Sequence, residues 1–274
     1  MSDISEEKKK LVSGLFQQMQ LVSDYALYVK TELIDKGVLG EQSPKEKTAY
    51  GLYCRAVCLL TTLRKCDNVK DFQTMLHAQR LLLEILVDLT LLHHESSKDV
   101  VEKIKAWEDS RRLLDAQRMI EHYKNKPPKG CGAQQEFVKT EKQRICNLRK
   151  KYGWKKHPDR WSGPNTALLD DIQRAKGLEH FDDIDIESVY VVEHPKMNWM
   201  IHGSGLTGIR YLEQEHFYLL FGLCASRCHQ LGLEIIRMIL KEFGFFKGGY
   251  SDQWKENMKK IVMHIAPFLS EATE

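Results

Sequence analysis

The chain has 274 residues, of which 42% are hydrophobic and 29% charged, and its formal net charge is +3. This composition is typical of a soluble globular protein with one sizeable core, and the length favours a single domain over several. The sequence contains no run of 18 apolar residues, and its first ten residues are followed by an amphipathic pattern instead of a signal-peptide core, so we expect a cytoplasmic protein.

Two helices are predicted in the first quarter of the chain. Apolar residues recur at three- and four-residue steps over residues 6–35, and Gly37 stops this pattern. Ser43 and Glu46, with a proline between them, form a capping-box signature. We therefore expect a second helix over residues 43–67.

The third predicted helix, over residues 72–94, is apolar around most of its circumference. Its polar stripe consists of His77, Arg80, Glu84 and Asp88, which share a sector of about 80°. Other helices normally surround such a helix, so the stripe faces either an internal cleft or a narrow strip of solvent. The Arg/Glu pair at i, i+4 favours the cleft, whereas an ordinary surface ion pair is the alternative.

A fourth helix is predicted over residues 97–124, and a segment with two prolines and two glycines follows it. Because such a segment cannot continue a helix, we expect a loop or hinge at residues 125–132. The prediction is a single all-α domain over residues 1–274, with this hinge between two helical parts. The two parts are residues 1–124 and 133–274.

Charge is unevenly distributed after this break. Residues 124–160 contain twelve Lys or Arg and three acids, whereas residues 170–193 contain eight acids and two cations. Aromatic residues among the cations suit phosphate contact and base stacking. The alternative is a solvated basic helix that pairs with the acidic segment. The candidate nucleic-acid contacts are Lys150, Lys151, Trp154, Lys155, Lys156, Arg160 and Trp161.

A second polar stripe is predicted on residues 185–202, a helical segment that Pro195 kinks or restarts. His194, Asn198 and His202 are spaced at i, i+4 and i+8, which places them on one helical face. The two polar stripes could therefore face one another.

No segment of the sequence has the pattern of a substantial strand, because none alternates apolar and polar residues over sufficient length. The predicted fold class is an all-α bundle of seven to nine helices with no substantial sheet. The remaining helices are predicted over residues 133–152, 165–176, where Gly177 is the expected stop, 213–243 and 254–269.

Several motifs occur in an order that resembles one family. They are Gln79-Arg80-Leu81-Leu82-Leu83-Glu84, Lys151-Tyr152-Gly153-Trp154, Arg160-Trp161-Ser162-Gly163 and His202-Gly203-Ser204. This combination, over about residues 75–205, resembles the uncharacterised helical proteins grouped as domain of unknown function 5677. The resemblance implies that Arg80, Glu84 and His202 are the recognisable residues, and it supplies no reaction. The architecture is also similar to the HEPN class of helical nucleotide-binding and RNase domains, by analogy of fold.

The sharpest functional hypothesis joins both polar stripes in one cleft. Arg80, oriented by Glu84, would bind an anionic group, His202 would act as general acid or base, and Asn198 would orient substrate or water. The expected ligand is RNA or another phosphate-bearing molecule, which such a cleft could hydrolyse without a metal. The alternative is a non-catalytic interaction or scaffold protein in which these residues form a structural network.

Neither a metal nor a cofactor is expected. The sequence has no HExxH motif and no close Cys/His ligand spacing. Cys54/Cys58 and Cys224/Cys228 are i, i+4 pairs that could supply four thiolates, although small buried thiols in apolar stripes are the favoured interpretation. The seven cysteines, an odd number, favour reduced thiols over a disulfide framework.

Overall fold

The structure is a computed structural model that describes residues 5–31, 42–66, 71–124, 131–154, 157–163, 167–181, 184–195 and 214–244. These residues form an all-α fold without a strand, which confirms the predicted fold class. None of the described helices is long and apolar enough to span a lipid bilayer. The elements are α1 (Glu6–Tyr28), α2 (Pro44–Leu63), α3 (Phe72–His94), α4 (Val100–His122), α5 (Cys131–Lys151), α6 (Leu168–Leu178), α7 (Ile186–Ser188), which continues as a π-helical turn (Val189–Glu193, the π turn), and α8 (Gln214–Glu242).

Local sequence signals account for most of the helix ends. At the start of α2, the Glu46 amide donates to Ser43 Oγ at 3.2 Å, and the Ser43 amide donates to Glu46 Oε2 at 2.7 Å, so the predicted capping box is present. Gly153 ends α5 with a φ of 70°. The expected stop at Gly177 is wrong, because α6 continues to Leu178.

The chain divides into two compact units. The first consists of Met1–His93 and Ala175–Glu274, and the second of His94–Arg174. The predicted hinge at 125–132 therefore lies inside the second unit, between α4 and α5, and most of it is outside the described residues. Helices α4 and α5, on either side of this segment, pack against each other. The single domain stays a prediction.

The first unit is built around α8, which packs on α1 and α2. Phe16 and Phe221 lie with ring centroids 4.6 Å apart, and the Tyr53 hydroxyl donates to the Ala26 carbonyl at 2.8 Å. Two glycines of α8, Gly222 and Gly232, lie directly against this neighbouring helix pair. Helix α3 contributes the largest number of buried leucines, which agrees with its apolar circumference.

The second unit is a hairpin of α4 and α5 with the residues that follow α5. The Trp107 indole donates to the Pro158 carbonyl at 3.0 Å, and Lys103 Nζ donates to the Ser162 carbonyl at 3.1 Å. Arg144 of α5 donates to Asp109 of α4 at 2.6 Å. These contacts fix the segment 157–163 against α4.

Candidate functional site

The polar stripe of α3 contains an arginine that is anchored at one nitrogen and open at the others. Arg80 Nε donates to Glu84 Oε1 at 3.0 Å, and the two side chains are 44% and 30% exposed. The terminal nitrogens of Arg80 make no hydrogen bond to any residue of the described chain. The guanidinium group is thus oriented by Glu84 and still has donors for an anion.

A buried imidazole lies in the electrostatic field of this pair. His194 directly follows the π turn and is only 4% exposed. Burial lowers the pKa of His194, the positive charge of Arg80 lowers it further, and Glu84 acts in the opposite direction. The imidazole is therefore neutral at neutral pH, a state in which one ring nitrogen can accept a proton.

The π turn that precedes His194 is itself a notable local structure. π-helical turns are rare and occur often at functional sites. Here the turn contains Tyr190, whose ring centroid lies 6.1 Å from that of His194, and ends at Glu193. The carboxylate of Glu193 accepts from Arg227 of α8, with the shortest contact, 2.6 Å, from Nη2 to Oε1.

The predicted second polar stripe is described only in part. For its first member, His194, burial and the charge of Arg80 lower the pKa and the charge of Glu84 raises it. That the two stripes face one another stays a prediction. The other two members, Asn198 and His202, lie outside the described residues, so their catalytic roles stay predictions.

The lysines of the predicted nucleic-acid surface have different environments. Lys150 is exposed, whereas Lys151 donates to Glu102 at 2.8 Å and pairs with Asp99. The hydrogen bond to Glu102, followed by one with Tyr152, raises the pKa of Lys151. Lys155 and Lys156 lie outside the described residues.

The other three predicted nucleic-acid contacts are buried. Trp154 is 3% and Trp161 4% exposed, and Arg160 Nε donates to Asp171 Oδ2 at 2.5 Å. Ser162 Oγ donates to the same carboxylate oxygen at 2.6 Å. Because these side chains are enclosed and already paired or packed, the prediction that Trp154, Arg160 and Trp161 meet nucleic-acid bases and phosphates conflicts with their positions. All four residues of the Arg-Trp-Ser-Gly motif are buried in this conformation.

Comparisons with known proteins add no relative. No protein-family profile, curated protein or solved structure matches this chain. The resemblance to the family of unknown function stays a prediction, and any function has to be argued from the chain's own geometry.

Two residues of the site gave no sequence signal. Glu193 falls in the acidic segment and Arg227 in an amphipathic helix, and 34 positions separate them. Only the tertiary structure joins them. Among the residues that the structure describes, no group of three or more His, Cys, Asp or Glu side chains is arranged to hold a metal ion.

Proposed function

We propose that the first unit binds a phosphate-bearing ligand, RNA foremost, at Arg80, with His194 beside the bound phosphate. The main support for this proposal is the environment of Arg80. Its Nε donates to Glu84, its side chain is 44% exposed, and its terminal nitrogens donate to no described residue. Two parallel N–H donors match two oxygens of a phosphate group, and the guanidinium charge strengthens both bonds.

A neutral imidazole next to a bound RNA phosphodiester supports cleavage of the strand without a metal, with a 2′,3′-cyclic phosphate as the product. In this proposal His194 takes the proton of a ribose 2′-hydroxyl while that oxygen bonds to the adjacent phosphorus. The bond from phosphorus to the 5′-oxygen breaks, and that oxygen leaves with a proton from His202 or water. Arg80 stabilises the negative charge that accumulates on the other phosphate oxygens.

The alternative is a non-catalytic scaffold in which Arg80, Glu84 and His202 fix helix register. A register-fixing network of this kind is buried, whereas the Arg80–Glu84 pair is partly exposed. Exposed i, i+4 pairs contribute only about 0.3–0.5 kcal/mol to stability. We therefore place the scaffold role second.

The binding step is tested with Arg80→Gln and a labelled single-stranded oligouridylate, measured by fluorescence anisotropy at several salt concentrations. We expect at least about a tenfold loss of affinity and a smaller salt dependence, because one charged phosphate contact is removed. Arg64→Gln is the matched control, since Arg64 also pairs with a carboxylate, Asp24, and the two side chains are 51% and 50% exposed. Equal affinity losses in both variants would contradict a site at Arg80.

The chemical step is tested with His194→Gln under the same conditions. We expect this variant to keep most of the affinity for the oligonucleotide and to lose its cleavage. This loss should be the same with and without EDTA, because the proposed step uses no metal. If Glu84→Gln and His202→Ala instead lower the melting temperature sharply, the scaffold role is favoured over the site.

A further inference from the structure

The contact between α8 and the π turn is a complete fork on one carboxylate. Arg227 Nε lies 3.1 Å from both carboxylate oxygens of Glu193, and Nη2 lies 2.6 Å from Oε1. The remaining nitrogen, Nη1, donates to Gln230 Oε1 at 2.8 Å. A planar guanidinium group held in this way fixes the position of the carboxylate in two dimensions, which a lysine cannot do.

The helix that carries Arg227 is itself held in position. A Cβ atom on Gly222 would lie 2.9 Å from Cγ2 of Val12, and one on Gly232 would lie 2.7 Å from Cγ1 of Val22. These close approaches, one before and one after Arg227, leave α8 no room to slide along α1. The part of α8 that carries Arg227 is therefore held in place by close helix packing.

The segment that carries His194 is short and is held at both ends. Helix α7 has three residues, and the π turn that continues it has five. At the start, Asp185 Oδ1 accepts from the amides of Glu187 and Ser188, and Lys176 Nζ donates to Asp185 and Glu187. At the other end, the fork on Glu193 acts one residue before His194, so it contributes to the position of the imidazole.

We propose that Arg227 is a positioning residue of the site, which presents His194 to the ligand at Arg80 by holding Glu193. This inference rests on the proposed function and assigns a second arginine to it. The nitrogens of Arg227 are engaged by Glu193 and Gln230, whereas the two terminal nitrogens of Arg80 donate to no residue that the structure describes. The two arginines thus have separate tasks, one in contact with the ligand and one behind the imidazole.

The test compares Arg227→Gln with Arg237→Gln, an arginine of the same helix that donates to Glu234 and Glu179. Two quantities are measured in each variant: the pKa of His194 by NMR titration of the imidazole, and affinity for the oligouridylate. In Arg227→Gln we expect the pKa of His194 to rise toward the ordinary value, because the imidazole loses its enclosed position, and affinity or cleavage to fall about tenfold. Arg237→Gln should change neither.

Removing a positive charge would itself raise a nearby histidine pKa, so Arg227→Lys is measured as well. This variant keeps the charge and loses the fork, and we expect it to reproduce most of the effect of Arg227→Gln. Glu193→Gln should also reproduce it, and the double variant should be no worse than either single one. If Arg227→Gln leaves both the His194 pKa and the oligonucleotide cleavage at wild-type values, the positioning role is overturned.

The two proposals fail in distinguishable ways. If the wild-type protein does not bind the oligonucleotide, the proposed function fails, while the His194 titration still reports whether Arg227 holds the imidazole. If the wild-type protein binds and Arg80→Gln does not, but the Arg227 variants match the Arg237 control, only the positioning role is lost.

Discussion

Two arginine–carboxylate pairs, one in each unit, have opposite surroundings. Arg80 and Glu84 are partly exposed neighbours on one helix, and the arginine keeps two nitrogens open. Arg160 and Asp171 have side chains that are 10% and 0% exposed. Asp171 also accepts from Ser162 Oγ at 2.6 Å and from Arg174 Nη1 at 3.3 Å. Its oxygens are thus engaged from three directions.

The difference shows how the same two residue types serve different ends. A buried ion pair is maintained only when its remaining lone pairs are satisfied, because desolvation is otherwise not offset. A pair at the surface costs little and contributes little, so its unused donors remain available for a ligand. Under the proposed function, the Arg160–Asp171 pair stabilises the second unit and the Arg80–Glu84 pair is available to the ligand.

The largest expected effect follows from breaking the buried pair. Asp171→Asn removes the buried carboxylate that accepts from Arg160, Ser162 and Arg174, and we expect it to cost about 3–5 kcal/mol of unfolding free energy. Urea unfolding followed by the fluorescence of the buried Trp154 and Trp161 measures this. Asp159→Asn is the control, because Asp159 is exposed and pairs with Arg111 at 3.1 Å. If Asp171→Asn lowers the unfolding free energy no more than Asp159→Asn does, the buried pair stabilises the protein no more than an exposed pair.

The sequence allowed the prediction of the features that depend on near neighbours. The polar stripe of α3, the capping box at Ser43 and the end of α5 at Gly153 follow from residue spacing and backbone preference over a few positions. That His194 shares a polar stripe with Asn198 and His202 stays a prediction from spacing, because the latter two lie outside the described residues. Gly177 shows the limit, because a glycine ends a helix only where the chain turns away, and α6 continues there.

Long-range pairing could not be predicted in the same way. The basic residues of the segment 124–160 look alike in sequence, yet Lys150 is exposed while Arg160 is buried against Asp171. Which cations become buried depends on acids that tertiary folding brings near. The same holds for Arg227 and Glu193, whose contact is visible only in the folded chain.

His229 is a buried group of a third kind. It belongs to α8, and its Nε2 makes no hydrogen bond to the described residues. Burial lowers the pKa of His229 to about 4. Well above pH 6.5 the imidazole is neutral in both the folded and unfolded states and adds no pH dependence. Between pH 6.5 and about 4, the unfolded chain takes up a proton that the folded chain does not, so stability falls as pH falls, by about 3 kcal/mol in total.

The His229→Leu variant removes this titration, and we expect its unfolding free energy to decrease less between pH 7 and pH 4.5 than that of the wild-type protein. His229→Gln, which is polar and cannot titrate, should show the same reduced pH dependence at a lower overall stability. If the unfolding free energy of His229→Leu depends on pH as strongly as that of the wild-type protein, burial of His229 is not the cause of the acid sensitivity of the first unit.

The smallest effect on stability, and the sharpest on function, is expected from exchanging the exposed pair. In the double variant Arg80→Glu/Glu84→Arg, the carboxylate precedes the guanidinium by four residues, the order that suits the helix dipole better. Thermal unfolding should therefore change by no more than about 0.5 kcal/mol. The guanidinium group, however, moves one helical turn along α3, away from the position at which it acts on His194. Oligonucleotide affinity should fall as far as in Arg80→Gln, because an anion site depends on the location of its donors. If the double variant binds the oligonucleotide as tightly as the wild-type protein does, α3 attracts the ligand through its net charge. The position of the guanidinium group along α3 would then not matter for binding.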